Sequence, residues 1–430
     1  MEQEKILAVW YPREEEMMKI INGLKYWGQL LFLPFYWLSF LMPRDRRLWL
    51  FGSTFGRRFA DNPKYFYLYM SQHREEVGVR PVWISHSREI VRFLNKNGYE
   101  AYYYHSVKGI WFALRGKVYL FDNYAKDINF WQSGGAVKVN LWHGIPLKKI
   151  QADNIFDKVR HPRNLWEQIK FFPRRLSDEK PSHYVLTTSK FMEPVFSSAF
   201  GTENVLTSGY PRNDRLIKKD SIRKLLTNTE RRDMAHIMSF VREKKISRII
   251  YYMPTFRDSE IKFFEVVGME GFRKFLQENR FLFCVKLHPK SKLKDEFRKL
   301  QGDSVFVIDA DADPYVFLEK ADVLVTDYSS IYFDFLLTGR PVVFFDYDLQ
   351  AYLRDSREMY FDYEEFTPGR KVSTEAELKE ALREACRPDE EYNKKYSGFR
   401  EAVADKVFDN KNGTSCRRLV KDIKTVLKEV

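Results

Sequence analysis

Residues 323–334, with the sequence VLVTDYSSIYFD, contain an apolar run that ends at Thr326 and is followed by polar residues. The run is short and β-branched, which is typical of a buried strand. Beyond Ser330 the apolar residues follow a helical spacing, so the stretch predicts a strand, a polar turn and a helix. Free N–H groups and the dipole at a helix start attract phosphate, which makes Ser329 and Ser330 candidate ligands, with Asp334 one turn further on. A role for Asp327 or Ser329 as an N-cap alone is the competing interpretation.

Outward from this unit, short apolar runs alternate with helical stretches along most of the chain. The predicted strands are Leu48–Phe51, Pro81–Ile84, Ala101–Tyr104, Val118–Phe121, Val137–Leu141, Tyr184–Thr187, Val205–Thr207, Arg248–Met253, Phe281–Leu287, Ser304–Ile308, Val323–Thr326 and Pro341–Phe345. This rhythm predicts two α/β domains with parallel sheets, at residues 48–217 and 248–430. Charge-rich residues 218–247 are predicted to form a linking helical region. We expect ligands in the cleft at the carboxyl ends of the strands.

The composition fits a globular protein with anionic partners. At 430 residues, 44% hydrophobic and 30% charged, the chain is long enough for two or three domains and is not largely disordered. Its three cysteines are too few for a disulfide framework or a zinc site. A net charge of +13 and 16% aromatic residues favour a phosphorylated substrate or an anionic lipid surface. The basic residues are dispersed among acids rather than arranged in a stripe, so we expect no nucleic-acid partner.

Residues 1–47 are predicted to form a membrane-associating segment. Residues 26–43 carry no charge and are rich in Trp, Phe and Leu, with Lys25 before them and Arg44 after. A spanning helix needs ~20 apolar residues, which makes this stretch borderline, and Pro34 interrupts it. The aromatic content is typical of the headgroup boundary, so we expect a kinked helix or helix pair on the cytoplasmic leaflet. A buried core helix and a spanning helix are the alternatives.

Polar clusters also follow other predicted strands. His143 precedes the flexible Gly144, and an imidazole there could accept a proton from a hydroxyl because its ordinary pKa is ~6.5. Arg212 offers a planar fork suited to phosphate oxygens. Lys286 and His288 form a compact cationic pair that could hold a diphosphate. The structural alternatives are a satisfied histidine at 143, a solvated arginine in a turn at 212, and a water-facing histidine at 288.

Taken in order, the clusters resemble the CDP-glycerol glycerophosphotransferase family. The matching pieces are Trp142–Lys149, Gly209–Asp214, Pro254–Asp258, Leu287–Pro289, Thr326–Asp334 and Arg340–Phe345. The resemblance implies a GT-B-like fold with the active site between two Rossmann-like domains. It implies transfer of a polyol phosphate from a CDP-polyol to a hydroxyl of an undecaprenyl-diphosphate-linked acceptor, with release of CMP. Such reactions build teichoic acids and related capsule polymers at the cytoplasmic face of the cell membrane.

Carried over to this sequence, the resemblance implies a catalytic set of His143, His288 and Arg212. It implies donor contacts from His143, Gly144, Ile145, Pro146, Leu147, Arg212, Pro254, Thr255, Lys286, Leu287, His288, Ser329, Ser330 and Asp334. We find no Asp-x-Asp metal motif placed at the cleft, since the run at 309–313 suggests a loop, and we expect no cofactor and no obligatory metal ion. A CDP-ribitol donor, and a GT-B glycosyltransferase that uses a nucleotide sugar, remain the alternatives.

Overall fold

The computed structural model describes residues 17–18, 20–178, 182–256, 262–291, 293–302, 304–355, 358–387 and 391–429. Residues 1–16 and 19 of the predicted membrane-associating segment, and Arg257 and Asp258 of the matching piece Pro254–Asp258, lie outside the described residues. The strands and helices reported below belong to the described residues.

Two parallel sheets organise the described chain. The first has seven strands in the order β3-β2-β1-β4-β5-β6-β7, and the second has six in the order β10-β9-β8-β11-β12-β13. Their bounds are β1 (Asp45–Phe51), β2 (Arg80–Ser85), β3 (Ala101–Tyr103), β4 (Gly116–Phe121), β5 (Val137–Asn140), β6 (Tyr184–Leu186), β7 (Val205–Leu206), β8 (Arg248–Tyr252), β9 (Phe281–Val285), β10 (Val305–Val307), β11 (Val323–Thr326), β12 (Val342–Phe345) and β13 (Arg370–Val372). In each sheet the strand order reverses next to the strand that comes first in the sequence, which is β1 in the first sheet and β8 in the second. Open α/β sheets form their ligand crevice at such a point.

Helices connect and cover the strands. They are α1 (Leu33–Leu38), α2 (Asp61–Gln72), α3 (Arg74–Val77), α4 (Arg88–Lys96), α5 (Val107–Arg115), α6 (Leu165–Asp178), α7 (Glu193–Phe200), α8 (Pro211–Ile217), α9 (Asn228–Glu243), α10 (Lys262–Val266), α11 (Met269–Glu278), α12 (Leu293–Lys299), α13 (Pro314–Leu318), α14 (Ile331–Leu336), α15 (Leu349–Asp355), α16 (Tyr363–Phe366), α17 (Glu375–Ala385), α18 (Glu391–Val407) and α19 (Ser415–Glu429). The sequence prediction of an α/β fold with two parallel sheets is therefore confirmed. All twelve predicted strands correspond to observed ones within two residues at each end, except at Leu48, where the strand begins three residues earlier.

The N-terminal apolar segment is a series of short helical pieces rather than one long helix. Residues 20–28 are helical, the turn Gln29–Phe32 follows, and Pro34 stands in the first turn of α1, where a proline needs no N–H partner. Tyr36 anchors the segment, because it is buried and its ring stacks on Phe130 at 4.8 Å. Most other apolar side chains of the segment are exposed, which excludes the alternative of a buried core helix. None of the helices built from the described residues combines the length and the apolar character that crossing a bilayer requires.

The two sheets are joined by α9 and by buried charges. Lys64 on α2 lies 3.2 Å from Glu230 on α9 and 3.0 Å from Asp313, which begins α13 beside the second sheet. All three side chains are almost fully buried. Glu230 also accepts a hydrogen bond from the Thr227 N–H in the capping box of α9. Both sheets are therefore held against α9 through one charged cluster.

The chain returns to the first sheet at its C-terminal end. The carboxylate of Asp214, on α8, accepts hydrogen bonds from the backbone N–H groups of Ser415 and Cys416 at the start of α19. Ser208, next to β7, donates to Asp422 on the same helix at 2.5 Å. The helix α19 thus completes the packing around the first sheet, although it follows the second sheet in the sequence.

Candidate active site

His143 lies at the carboxyl end of β5 on a strained loop. Trp142 has a φ of +50°, an unusual conformation for a residue other than glycine, and its ring lies 4.0 Å from the imidazole. Asn62 holds the loop by donating to the carbonyl oxygens of Leu141 and Trp142. Because strained backbone persists only where its surroundings fix it, the orientation of His143 is well determined.

The hydrogen bond of His143 sets which ring nitrogen carries the proton. Its Nδ1 lies 3.1 Å from the carbonyl oxygen of Asp122, so the neutral ring donates from Nδ1 and keeps a lone pair on Nε2. The imidazole is accessible from the cleft, but the surrounding walls desolvate it, which lowers its pKa. Asp122 opposes this shift and Arg212 adds to it. At neutral pH the ring is therefore unprotonated and available as a base.

Beneath this loop lie two carboxylates, Asp122 and Asp127, which the sequence analysis did not identify. Asp122 accepts hydrogen bonds from the Ser53 hydroxyl at 2.6 Å and the Thr54 N–H at 2.9 Å. Asp127 is fully buried and accepts from the Phe55 N–H at 2.8 Å. Burial, and then the neighbouring Asp122 carboxylate, raise the pKa of Asp127. Asp122 directly follows β4. The expectation that functional side chains follow strands, which located His143, could therefore also have located Asp122.

The opposite wall of the cleft brings together the clusters that follow β8 and β11. Asp327 accepts hydrogen bonds from the backbone N–H and the hydroxyl of Thr255 and from the N–H of Ser329. Ser330 is the residue before α14, and its side chain makes no capping bond. Asp327 therefore fixes the positions of Thr255 and Ser329, leaving Ser329 and Ser330 half-buried at the cleft.

The cluster after β9 joins the same wall through a small pocket. His288 is exposed, its ring centre lies 5.0 Å from that of Phe256, and its Nδ1 accepts from the Lys290 N–H. Pro254, Thr255, Leu287 and His288 line the pocket together with aromatic side chains. Of the candidate donor ligands on this side, the structure thus gathers those at 254, 255, 287, 288, 329 and 330.

The two walls touch at Gly144 and Ser330. A Cβ atom on residue 144 would stand 2.7 Å from the Ser330 hydroxyl oxygen, which is closer than real Cβ contacts. Nearby, Lys148 crosses from the first domain, and its Nζ donates to the Thr255 hydroxyl at 3.3 Å. The histidine loop and the serine turn are therefore in direct contact across the cleft.

Three residues predicted to contact the donor are placed differently. Arg212 has no exposed surface, and its guanidinium donates to Asp61 at 2.5 Å and to Asp334 at 2.6 Å. Asp334 also accepts from the Tyr315 hydroxyl, so it too is committed to this buried cluster. Lys286 is buried, and its Nζ donates to the carbonyl oxygens of residues 309 and 310. The polar groups of these three side chains are thus bonded to other parts of the protein. The side chains support the cleft from behind.

The environment of Lys286 changes its acidity. Burial lowers the pKa of Lys286 to about 7, with Arg58 acting in the same direction. Arg58 follows the first strand of the first sheet, and its guanidinium donates to the carbonyl oxygens of Asp311 and Ala312 beside the second sheet. The run at 309–313 is a loop, and it receives two cations through its backbone.

Asp61 is a further cleft residue that the sequence did not reveal. It has a φ of +60°, its side chain is 19% exposed, and it pairs with Arg212. Burial raises the pKa of Asp61 to about 7 against the lowering effect of Arg212, and Asp122 adds to the rise. A strained, partly accessible carboxyl with a raised pKa is typical of a functional position.

Four of the predicted donor ligands contribute packing. Ile145 and Leu147 are fully buried in a hydrophobic core to which both sheets contribute, and Pro146 between them is also buried. The Leu147 carbonyl oxygen accepts from the Tyr360 N–H, which ties the histidine loop to the second domain. Leu287 is 4% exposed and packs in the second core. Within the described residues, His, Cys, Asp and Glu side chains form no group of three or more that could hold a metal ion.

The chain matches known proteins over most of its length. A family model described as CDP-Glycerol:Poly(glycerophosphate) glycerophosphotransferase matches residues 34–425. A teichoic acid poly(glycerol phosphate) polymerase of Bacillus spizizenii is 28% identical over 354 residues, which cover 80% of this chain and 84% of that protein. A teichoic acid glycerol-phosphate transferase of Staphylococcus aureus is 27% identical over 371 residues, covering 81% and 86%. A solved structure of the wall teichoic acid polymerase TagF shares the fold, with a TM-score of 0.69 at 22% identity over 96% of this chain and 98% of that one.

Proposed function

Because this chain belongs to the CDP-glycerol:poly(glycerophosphate) glycerophosphotransferase family and is therefore a transferase, we propose that it moves glycerol phosphate from CDP-glycerol to a hydroxyl of a lipid-linked acceptor. The reaction releases CMP and extends or primes a teichoic acid. Similarity to the polymerase of Bacillus spizizenii and the transferase of Staphylococcus aureus supports this assignment.

The observation that carries the proposal is the placement of His143 opposite the serine turn. Its Nδ1 is bonded to the Asp122 carbonyl, its Nε2 keeps a lone pair, and Gly144 beside it touches Ser330. A base therefore faces the start of a short helix, where backbone N–H groups favour an anion. For the transfer, the acceptor hydroxyl must meet the donor phosphate between the base on one wall and the phosphate ligands on the other.

In the proposed step, the acceptor hydroxyl oxygen attacks the phosphorus that bears the glycerol. The new P–O bond forms as the bond between this phosphorus and the bridging oxygen breaks, so CMP leaves with that oxygen. The hydroxyl proton passes to Nε2 of His143. Negative charge grows on the CMP phosphate, and His288, Lys148 and the hydroxyls of Ser329 and Ser330 are the nearby donors that would stabilise it. We propose that these fixed donors suffice without a divalent ion, so that activity should survive chelation by EDTA.

We also propose that the protein binds the cytoplasmic membrane surface peripherally. Leu31, Trp37 and Leu41 of the N-terminal segment are 78%, 60% and 79% exposed. The helix α6 presents a second apolar face, formed by Leu165, Trp166, Ile169 and Phe172, that the sequence analysis did not identify. The Tyr26 hydroxyl donates to the Lys170 carbonyl oxygen, which sets the two apolar elements side by side. Exposed apolar faces of neighbouring helices, with cations beside them, are typical of interfacial binding.

Vesicle sedimentation tests the membrane proposal. Trp37→Glu should weaken binding to anionic vesicles, because the indole loses its place in the interface. Met238→Glu is the matched control, since Met238 is also an exposed apolar residue but lies on the linking helix α9. Equal binding by Trp37→Glu and the control would contradict the proposal.

A comparison of two donors tests the proposed reaction. CMP release should be measured from CDP-glycerol and CDP-ribitol with the same lipid-linked acceptor, for the wild type, His143→Ala and His73→Ala. We expect acceptor-dependent release from CDP-glycerol that is lost in His143→Ala and kept in His73→Ala, because His73 pairs with Glu76 on the surface of the first domain. Release from CDP-ribitol alone would change the donor. Release from neither, with turnover of a nucleotide sugar, would establish the glycosyltransferase alternative.

A further inference from the structure

An apolar groove separates the N-terminal segment from the first sheet. It has a volume of about 680 Å³, within the range of ligand sites. Phe32 and Phe35 form its outer wall, Ile110 on α5 forms its floor, and Trp131 closes one side. The rings of Phe32 and Trp131 lie 6.0 Å apart, so the wall and the side are in contact. The site proposed above for the reaction does not include any of these residues.

The inner end of the groove is polar and basic. Tyr104 is stacked between His86 and His105, with ring centres 3.7 Å apart on each side. Lys126 also lines this end, and its Nζ lies 5.2 Å from the centre of the Phe55 ring. The groove therefore changes from aliphatic and aromatic at its outer wall to polar at its inner end, where Lys126 supplies a positive charge.

This inner end adjoins the candidate active site. Lys126 belongs to the turn Ala125–Asp127, which packs against the turn Thr54–Gly56. The Thr54 N–H donates to the Asp122 carboxylate, and the Asp122 carbonyl receives the His143 hydrogen bond. The Lys126 end of the groove is therefore linked to the His143 loop through the turn Thr54–Gly56 and Asp122.

We propose that this groove binds the isoprenoid chain of the lipid acceptor, with the acceptor's diphosphate at the Lys126 end. The inference rests on the proposed function and extends it, since it assigns the acceptor subsite. Two observations select this occupant. The outer wall is built by the same helices whose other side chains form the exposed apolar surface, so the groove is continuous with that surface. Lys126 and the polar inner end complement a diphosphate at the head of an apolar chain.

Chain-length dependence tests the subsite. Two acceptors with the same saccharide diphosphate, one carrying a farnesyl chain and one a methyl group, should be compared without membranes. The wild type should show a KM at least about tenfold lower for the farnesyl acceptor than for the methyl acceptor. Burial of two methylene groups is already enough for a difference of this size. Ile110→Trp should remove this preference by filling the groove, with kcat/KM for the methyl acceptor unchanged. Val107→Trp on the same helix is the control, because Val107 is 86% exposed.

The outcomes separate this inference from the proposed function. No CMP release from either acceptor in the wild type would contradict the proposed function. Normal release without a chain preference, or a preference that Ile110→Trp retains, would overturn the subsite alone. If Ile110→Trp does not fold, Lys126→Ala is the second variant, and it should raise KM for the farnesyl diphosphate acceptor more than for its monophosphate analogue. An equal effect on both would also overturn the subsite.

A labelling experiment gives a readout that does not depend on transfer. A farnesyl diphosphate that carries a diazirine should label peptides within residues 104–114 or 126–132 of the wild type. Unlabelled farnesyl diphosphate should compete, whereas lysophosphatidylglycerol at the same concentration should not. Labelling confined to other peptides, or equal competition by the phospholipid, would overturn the isoprenoid assignment.

Discussion

Replacing Lys64 by Met should destabilise the protein strongly, because it leaves two carboxylates unpaired in the interior. Lys64 is 1% exposed, and its Nζ lies 3.2 Å from Glu230 and 3.0 Å from Asp313. Breaking a buried ion pair by removing one partner costs about 3–5 kcal/mol. With roughly 2–4 °C lost per kcal/mol in a large domain, we expect the melting temperature to fall by on the order of 10 °C.

Differential scanning calorimetry provides the measurement, with two companion variants. Lys274→Met is the matched control, because Lys274 is 78% exposed and lies 4.0 Å from Glu278, so its loss should cost less than about 1 kcal/mol. The triple variant Lys64→Met, Glu230→Gln, Asp313→Asn should recover much of the loss, since it removes both charges and keeps side chains that can cap α9 and α13. A melting temperature for Lys64→Met within 2 °C of the wild type, or a triple variant less stable than Lys64→Met, would refute the reasoning.

Three further predictions concern the cleft. Gly144→Ala should lower kcat/KM about tenfold, because displacing the Ser330 hydroxyl to a poor rotamer costs about 1 kcal/mol or slightly more; in a Ser330→Ala background the same change should cost almost nothing, and equal losses in both backgrounds would contradict the contact. Since desolvation lowers the pKa of His143, the acid limb of kcat/KM should fall below the ordinary histidine value, and a limb above that value would count against His143 as the base. Burial raises the pKa of Asp61 from 3.8 to about 7, so the folded chain holds a proton there that the unfolded chain releases, and stability falls as the pH rises between these values. Asp61→Asn should flatten that fall in urea titrations at pH 4, 5.5 and 7, and an unchanged slope would contradict the assigned shift.

Most of the strands were predictable because they are short apolar runs whose residues are buried on both faces of the sheet. In Val323–Thr326 and Val342–Phe345 every residue is buried, as the continuous apolar sequence indicated. The strand Arg370–Val372 escaped prediction because two of its three residues are charged and it pairs only at the edge of the sheet. Its place is set by its neighbour β12, which a local pattern does not contain.

The positions of the candidate site residues were predictable where they follow from the end of a strand, and unpredictable where they follow from tertiary partners. His143, Thr255 and the serine turn follow strands directly and reach the cleft as that rule predicts. Arg212 follows the same rule, yet it is buried, because two carboxylates from distant parts of the chain meet it. Asp61 could not be identified from sequence, since its raised pKa comes from burial between the domains.

The return of α19 to the first sheet has a consequence for how the protein is made. The N–H of Ser415 bonds to the carboxylate of Asp214, 201 residues earlier in the chain. During synthesis the first sheet is therefore complete in its strands well before the helix that covers one side of it has left the ribosome. Nascent chains should expose apolar surface beside β7 throughout this interval, which makes that surface a natural target for chaperones. It also means that the amino-terminal half cannot be isolated by simple truncation, whereas a fragment that supplies residues 415–429 in trans could restore it.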